Sequence, residues 1–200
     1  GSWVGVNRHG LFVGLTNRQS DQPDPARRSR GDLVARFLGA RSIEEAHQWA
    51  DEVEVAQYNP FHLAIVGREG GFVLWNDDDE SRRYELRPGI HVLTERFAGA
   101  GAGEGAQRSP SDRLRRVAEL VASWDYRTPA PTDAQLQAVL SDHRGDGFED
   151  LRVAIADFGY GTRSALTLRL GEASSFTWSD GPPRNDSFED RSELLRELFA

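Results

Sequence analysis

The stretch Gly5-Val-Asn-Arg-His-Gly-Leu-Phe-Val-Gly-Leu-Thr-Asn17 decides how the rest of the chain is read. Apolar residues on both sides of Arg8-His9-Gly10 predict two strands joined by a tight turn, because Gly10 can take the positive φ that closes a hairpin. Asn17 falls where the second strand runs out into the polar segment Arg18 to Pro25. A carboxamide at a strand end either caps a turn or serves a site as donor and acceptor, and the hairpin pattern is compatible with both.

Outward from the hairpin, residues 18 to 31 read as an exposed loop. Leu33, Val34, Phe37 and Leu38 share one helical face, and Gly39 ends that helix. Ser42 with Glu45 forms a capping-box pattern ahead of the stripe Ile43, Ala46, Trp49, Ala50 and Val53. From Tyr58 the period changes: residues 62–66 and 72–75 flank a glycine turn and predict a second hairpin. Asn76 to Ser81 reads as an acidic loop, 84–86 and 90–93 as short strands, and 99–107 as a glycine- and alanine-rich linker.

Ser109-Pro110 predicts a helix start. Leu114, Val117, Leu120, Val121 and Trp124 line that helix's inner face, while Arg113, Arg115, Arg116 and Glu119 point outward. Thr132 with Gln135 caps another helix, whose stripe is Leu136, Val139 and Leu140. Strands follow over 152–156, 165–170 and 175–178, with Leu166, Leu168 and Leu170 sharing a face. Residues 187–200 read as a terminal helix. Clustered strands and clustered helices predict one α+β domain over 1–200, mainly of antiparallel sheet.

Composition narrows the function classes. The chain has 200 residues and a net charge of -8, which argues against a nucleic-acid surface. All 24 basic residues are arginine, so lysine Schiff bases and a P-loop lysine are excluded. Cysteine is absent, which excludes disulfides, thiolate nucleophiles and cysteine-ligated zinc. No apolar run reaches membrane-spanning length, and the cytoplasm is the expected location. Methionine is absent too, so a segment upstream of Gly1 is expected.

Four motifs occur in a fixed order: Trp3-Val-Gly-Val-Asn-Arg-His-Gly10 with Leu15-Thr-Asn17; Arg28-Ser-Arg-Gly31 with Leu33; Tyr58-Asn-Pro-Phe61 leading to Pro88-Gly-Ile-His91; and Tyr160-Gly-Thr-Arg-Ser164. In these the chain resembles the family named after its Asn-Arg-Asp-Glu motif (NRDE), also called the transport and Golgi organisation family. The resemblance implies an Ntn-hydrolase-like α-β-β-α sandwich, incomplete at the N-terminus, where the family's nucleophilic cysteine and its name motif would lie. It implies a role in trafficking a small hydrophobic ligand, haem or an acyl lipid. The alternative is an Ntn-type amide hydrolase whose nucleophile lies in the absent segment. Self-association is the further expectation, through sheet edges left open.

The candidate ligand-binding residues are Asn17, Arg163, Thr162, Ser164 and His91, of which the resemblance itself assigns a role to Asn17. In an enzyme Asn17 would be the oxyanion donor; no other catalytic residue, metal ligand or cofactor is assigned. Arg163 can hold a carboxylate bidentately or tie down its own loop. His91 reads as a base, a haem-iron ligand or a structural residue. Arg28-Ser-Arg-Gly31 either pins its loop through Asp32 or faces the cleft. Two positions depart from the family: Ala165 stands where a second serine is usual, and Glu95 where an asparagine is usual.

Overall fold

The computed structural model describes residues 3–18, 20, 22–77, 80–94, 98–100, 112–124, 131–143, 151–155, 157, 159–184 and 187–200. The chain groups into two compact units, Gly1–Glu104 and Gly105–Ala200. The fold class is α+β with antiparallel sheets, as the clustering of elements predicts.

The first unit is built on an antiparallel meander: β1 (Trp3–Val6), β2 (Phe12–Asn17), β3 (Phe61–Gly67), β4 (Gly70–Asp77) and β5 (Glu80–Glu85), adjacent in that order. Gly10, at φ 77°, closes the first hairpin. Asn7 fixes that turn to the helical layer. Its Oδ1 accepts from the His9 and Leu11 N–H groups at 2.9 and 3.0 Å, and its Nδ2 donates to the Leu38 and Ala40 carbonyls at 3.1 and 2.6 Å. With donors and acceptor both used, this buried amide escapes the desolvation cost of an unpaired one.

Alternation along the strands puts Val13, Leu15, Phe61, Leu63, Ile65, Phe72 and Leu74 on one face. There they meet α1 (Gly31–Phe37) and α2 (Ile43–Asp51), which supply Leu33, Val34, Phe37, Ala46 and Ala50. Phe37, Phe61 and Phe72 are fully buried, each worth about 1.5–3 kcal/mol of transfer free energy. Ala64 and Val73, on the opposite face, are buried as well. The middle strands are therefore covered on both sides, which is why Phe61 to Val66 is almost continuously apolar. The Ser42 side chain accepts from the Glu45 N–H as its pattern predicts, but the Glu45 carboxylate turns to the Arg41 backbone and guanidinium, so only half of the capping box forms.

Two stretches differ from their sequence reading. Of the stretch read as an acidic loop, Asn76 and Asp77 belong to β4 and Glu80 and Ser81 to β5, with Asn76 paired to Ser81 and Asp77 to Glu80. Ladder pairing of β4 between β3 and β5 overrides the weak strand propensity of acidic residues. Gly99 and Ala100, read as the start of a linker, belong to β7 (Ala98–Ala100), which pairs with β6 (His91–Leu93); small residues carry no propensity signal for such a strand.

The second unit comprises α3 (Asp112–Val121), α4 (Asp133–Leu140), β8 (Ala154–Ile155) paired with β9 (Tyr160–Gly161), the sheet β10 (Ser164–Arg169), β11 (Ser175–Asp180) and β12 (Glu189–Asp190), and α5 (Ser192–Phe199). The Thr132–Gln135 capping box forms completely. Arg116 does not point away: its Nε and Nη2 grip the Asp142 carboxylate at 2.8 and 2.5 Å. In β10 the buried residue is Thr167, whose hydroxyl meets that of Thr177 at 2.7 Å while Gln137 of α4 donates to Thr177 at 3.2 Å. The helix thus docks on the polar face, and the leucines share the other one. The terminal helix is shorter than its pattern predicts; β12 precedes it, and Leu195 is buried whereas Leu194 and Phe199 are exposed. Among the described residues no helix is long and apolar enough to cross a membrane.

Candidate functional site

β2 ends at Asn17, whose half-buried carboxamide makes no hydrogen bond to any described residue. It opens onto a cleft of about 240 Å³ in the first unit, walled by Trp3, by Asn59 and by the loop from Asp24 to Arg30. Main-chain carbonyls of residues 58 to 60 shape this cleft. Pro60 O accepts from the Arg18 N–H and from Arg30 Nη1, each at 2.9 Å, which holds the end of β2 beside Arg30. Tyr58 O accepts from Arg27 Nη1 at 2.9 Å.

Further bonds join the same two segments. The Asp24 N–H donates to Asn59 Oδ1 at 2.8 Å, and Asn59 Nδ2 returns a bond to the Asp24 carbonyl at 2.7 Å. The Arg28 N–H donates to Gln57 O at 2.9 Å, and its guanidinium lies 5.4 Å from the centre of the Tyr58 ring. Arg28-Ser-Arg-Gly31 and Tyr58-Asn-Pro-Phe61, remote in sequence, therefore form one wall. Arg28 both reaches Asp32, at 3.4 Å, and lines the cleft, so the two readings of its motif hold together.

Behind the wall stands Asn76, fully buried. Its Oδ1 accepts from the Phe61 N–H at 3.0 Å, its Nδ2 approaches the Tyr58 and Val55 carbonyls at 3.4 and 3.5 Å, and its own carbonyl accepts from Arg18 Nη1 at 2.6 Å.

Charge in the cleft is unevenly balanced. Asp24 lies 4.0 Å from Arg27, and Asp32 lies 3.4 Å from Arg28. Arg30 meets no carboxylate among the described residues; its hydrogen-bond partner is the neutral Pro60 carbonyl. Burial holds its pKa below the ordinary arginine value, though far above neutrality. A guanidinium with one of five donors used and a carboxamide without a partner among the described residues line the same cleft, and both have donors that a planar oxyanion could accept from. Trp3 adds an aromatic wall.

Of the residues singled out from the sequence, Asn17 lines this cleft and His91 does not. His91 begins β6; its Nε2–H donates to Arg87 O at 2.7 Å, leaving Nδ1 buried and unpartnered, and its ring lies 6.3 Å from that of Tyr84. In the second unit the Thr162 hydroxyl accepts from the Val153 N–H at 3.1 Å, and Ser164 pairs with Asp180 at the start of β10. Between them Arg163 is exposed, and its guanidinium makes no hydrogen bond or ion pair with a described residue. Glu95 lies outside the described residues. Trp3, Arg30 and Asn59 stand in motifs quoted from the sequence but were not named individually as site residues, and Arg27 was passed over altogether. The available signal was three arginines within four positions of an acidic chain.

The family model described as Transport and Golgi organisation 2 matches residues 1–180, a span that contains every residue of the cleft. No curated protein matches the chain.

Proposed function

The chain belongs to the Transport and Golgi organisation 2 family, and from that premise we propose that it binds and passes on a small hydrophobic ligand, haem or an acyl lipid, in the cytoplasm. This is the family to which the four ordered motifs pointed. The observation that carries the reading is the Asn17 carboxamide, open and unpartnered at the mouth of a cleft. At about 240 Å³ the cleft is smaller than the ~300–1,000 Å³ of ordinary ligand pockets, so it receives the polar end of the ligand and not the whole molecule.

An Ntn-hydrolase-like scaffold is part of the proposal, supported by a five-stranded antiparallel sheet whose middle strands are buried on both faces. His91 offers an acceptor at its unpartnered Nδ1. In the second unit Arg163, flanked by Thr162 and Ser164, offers an exposed guanidinium to an oxyanion. Haem titration followed in the Soret band, and dodecanoate titration followed by tryptophan fluorescence, test the proposal. Saturable binding of at least one ligand, weakened by Asn17→Ala or by Arg163→Ala, is the expected result. Flat titrations of the wild-type protein with both ligands would overturn it.

A further inference from the structure

We infer that Arg30 determines ligand specificity: together with the Asn17 carboxamide it seats the carboxylate of an amphipathic acid, whose apolar part leaves the cleft past Trp3. The inference rests on the ligand-binding reading above and narrows it from hydrophobic molecules at large to those ending in an oxyanion.

Three observations converge on it. In a chain of net charge -8, the cleft wall gathers three arginines against one carboxylate, that of Asp24. Arg27 and Arg28 each have a carboxylate within 4.0 Å, and Arg30 has none among the described residues. Pro60 O binds Arg30 Nη1 and the Arg18 N–H together, so the strand end bearing Asn17 is fixed next to the one guanidinium in the wall that lacks a counter-charge. A cation kept partly desolvated without an anion is stabilised by one that arrives with the ligand. A carboxylate suits the planar donor fork and can accept from the amide at the same time. Trp3, 55% exposed, presents its indole to the first methylenes beyond the head group.

The experiment compares dodecanoate with dodecanol by fluorescence titration of the intact chain, with Arg30→Gln and Arg41→Gln as variants. Dodecanoate should bind wild type about tenfold or more tighter than dodecanol, the ratio expected of one charge-assisted hydrogen-bonded pair. Arg30→Gln should bring the two ligands to similar affinity while leaving dodecanol unchanged. Arg41 is exposed, paired with Glu45 and outside the cleft lining, so Arg41→Gln should keep the preference; circular dichroism checks that both variants fold. Equal wild-type binding of acid and alcohol would overturn the inference and leave ligand binding standing. Binding of neither would overturn both. Acetate serves as competitor: displacement of dodecanoate only at far higher concentration supports a site for an amphiphile's head group, and competition at equal concentration would overturn it. If Arg30→Gln does not fold, the preference is read from its salt dependence in wild type: it should shrink as salt rises for the acid alone, and a preference unchanged by salt would overturn the assignment.

Discussion

Replacing Asn76 by alanine tests whether the cleft wall is held from behind. Asn76 is fully buried, and the Phe61 N–H donates to its Oδ1 at 3.0 Å. Removing that acceptor strands a donor where water does not reach, at a cost of about 1–3 kcal/mol. The approaches to Tyr58 O and Val55 O, at 3.4 and 3.5 Å, are at the limit of bonding distance and add little. The void left by the missing carboxamide adds roughly 1 kcal/mol. Together these give about 2–4 kcal/mol, or roughly 5–15 °C in Tm for a chain of this size. Thermal and urea melts by circular dichroism measure it. Because Phe61 follows the carbonyls that hold Arg27 and Arg30, dodecanoate binding should also weaken in the folded variant. A loss below about 0.5 kcal/mol with ligand affinity unchanged would refute the bracing argument.

Two further outcomes follow from local chemistry. His62 is buried, its Nδ1–H donates to the Thr94 carbonyl at 3.1 Å, and burial, helped by the nearby charge of Arg18, lowers its pKa from 6.5 to about 4. The folded value lies below the unfolded one, so this contribution is full above about pH 6.5 and is lost as the pH falls towards 4, at roughly 1.4 kcal/mol per pH unit. Urea midpoints from pH 7 to 4 should show that slope, and His62→Gln should flatten it relative to wild type. Gly10→Ala should cost about 1–2 kcal/mol, read from the same melts. The space around Gly10 is open, so the effect comes only from φ 77°.

The meander was legible because its signals are local. Apolar runs on either side of glycine turns place β2 and β3, and the helical stripe of α1 follows directly from Leu33, Val34 and Phe37. Asn17 was legible as a strand-end amide. The arginine wall was not, because Arg27, Arg28 and Arg30 lie in a stretch whose composition reads as solvated loop, and only their bonds to residues 57 to 60 make it a surface. Arg116 was misplaced for a similar reason: its partner Asp142 stands beyond the end of the next helix, outside any window of helical periodicity. Thr167 shows a different limit. Alternation separates the two faces of β10 but does not tell which face α4 covers, and Gln137 meeting Thr177 made the polar one suitable.

The cleft is held mostly by oxygen atoms that every amino acid possesses. Tyr58 and Pro60 offer carbonyls to Arg27 and Arg30, so drift in their side chains leaves those acceptors in place as long as the chain path persists. Asn59 and Asn76 have no such latitude, since their amides set the path itself. Homologues should accordingly tolerate exchange at the first pair and resist it at the second, and a library randomised across these four positions would recover the same asymmetry.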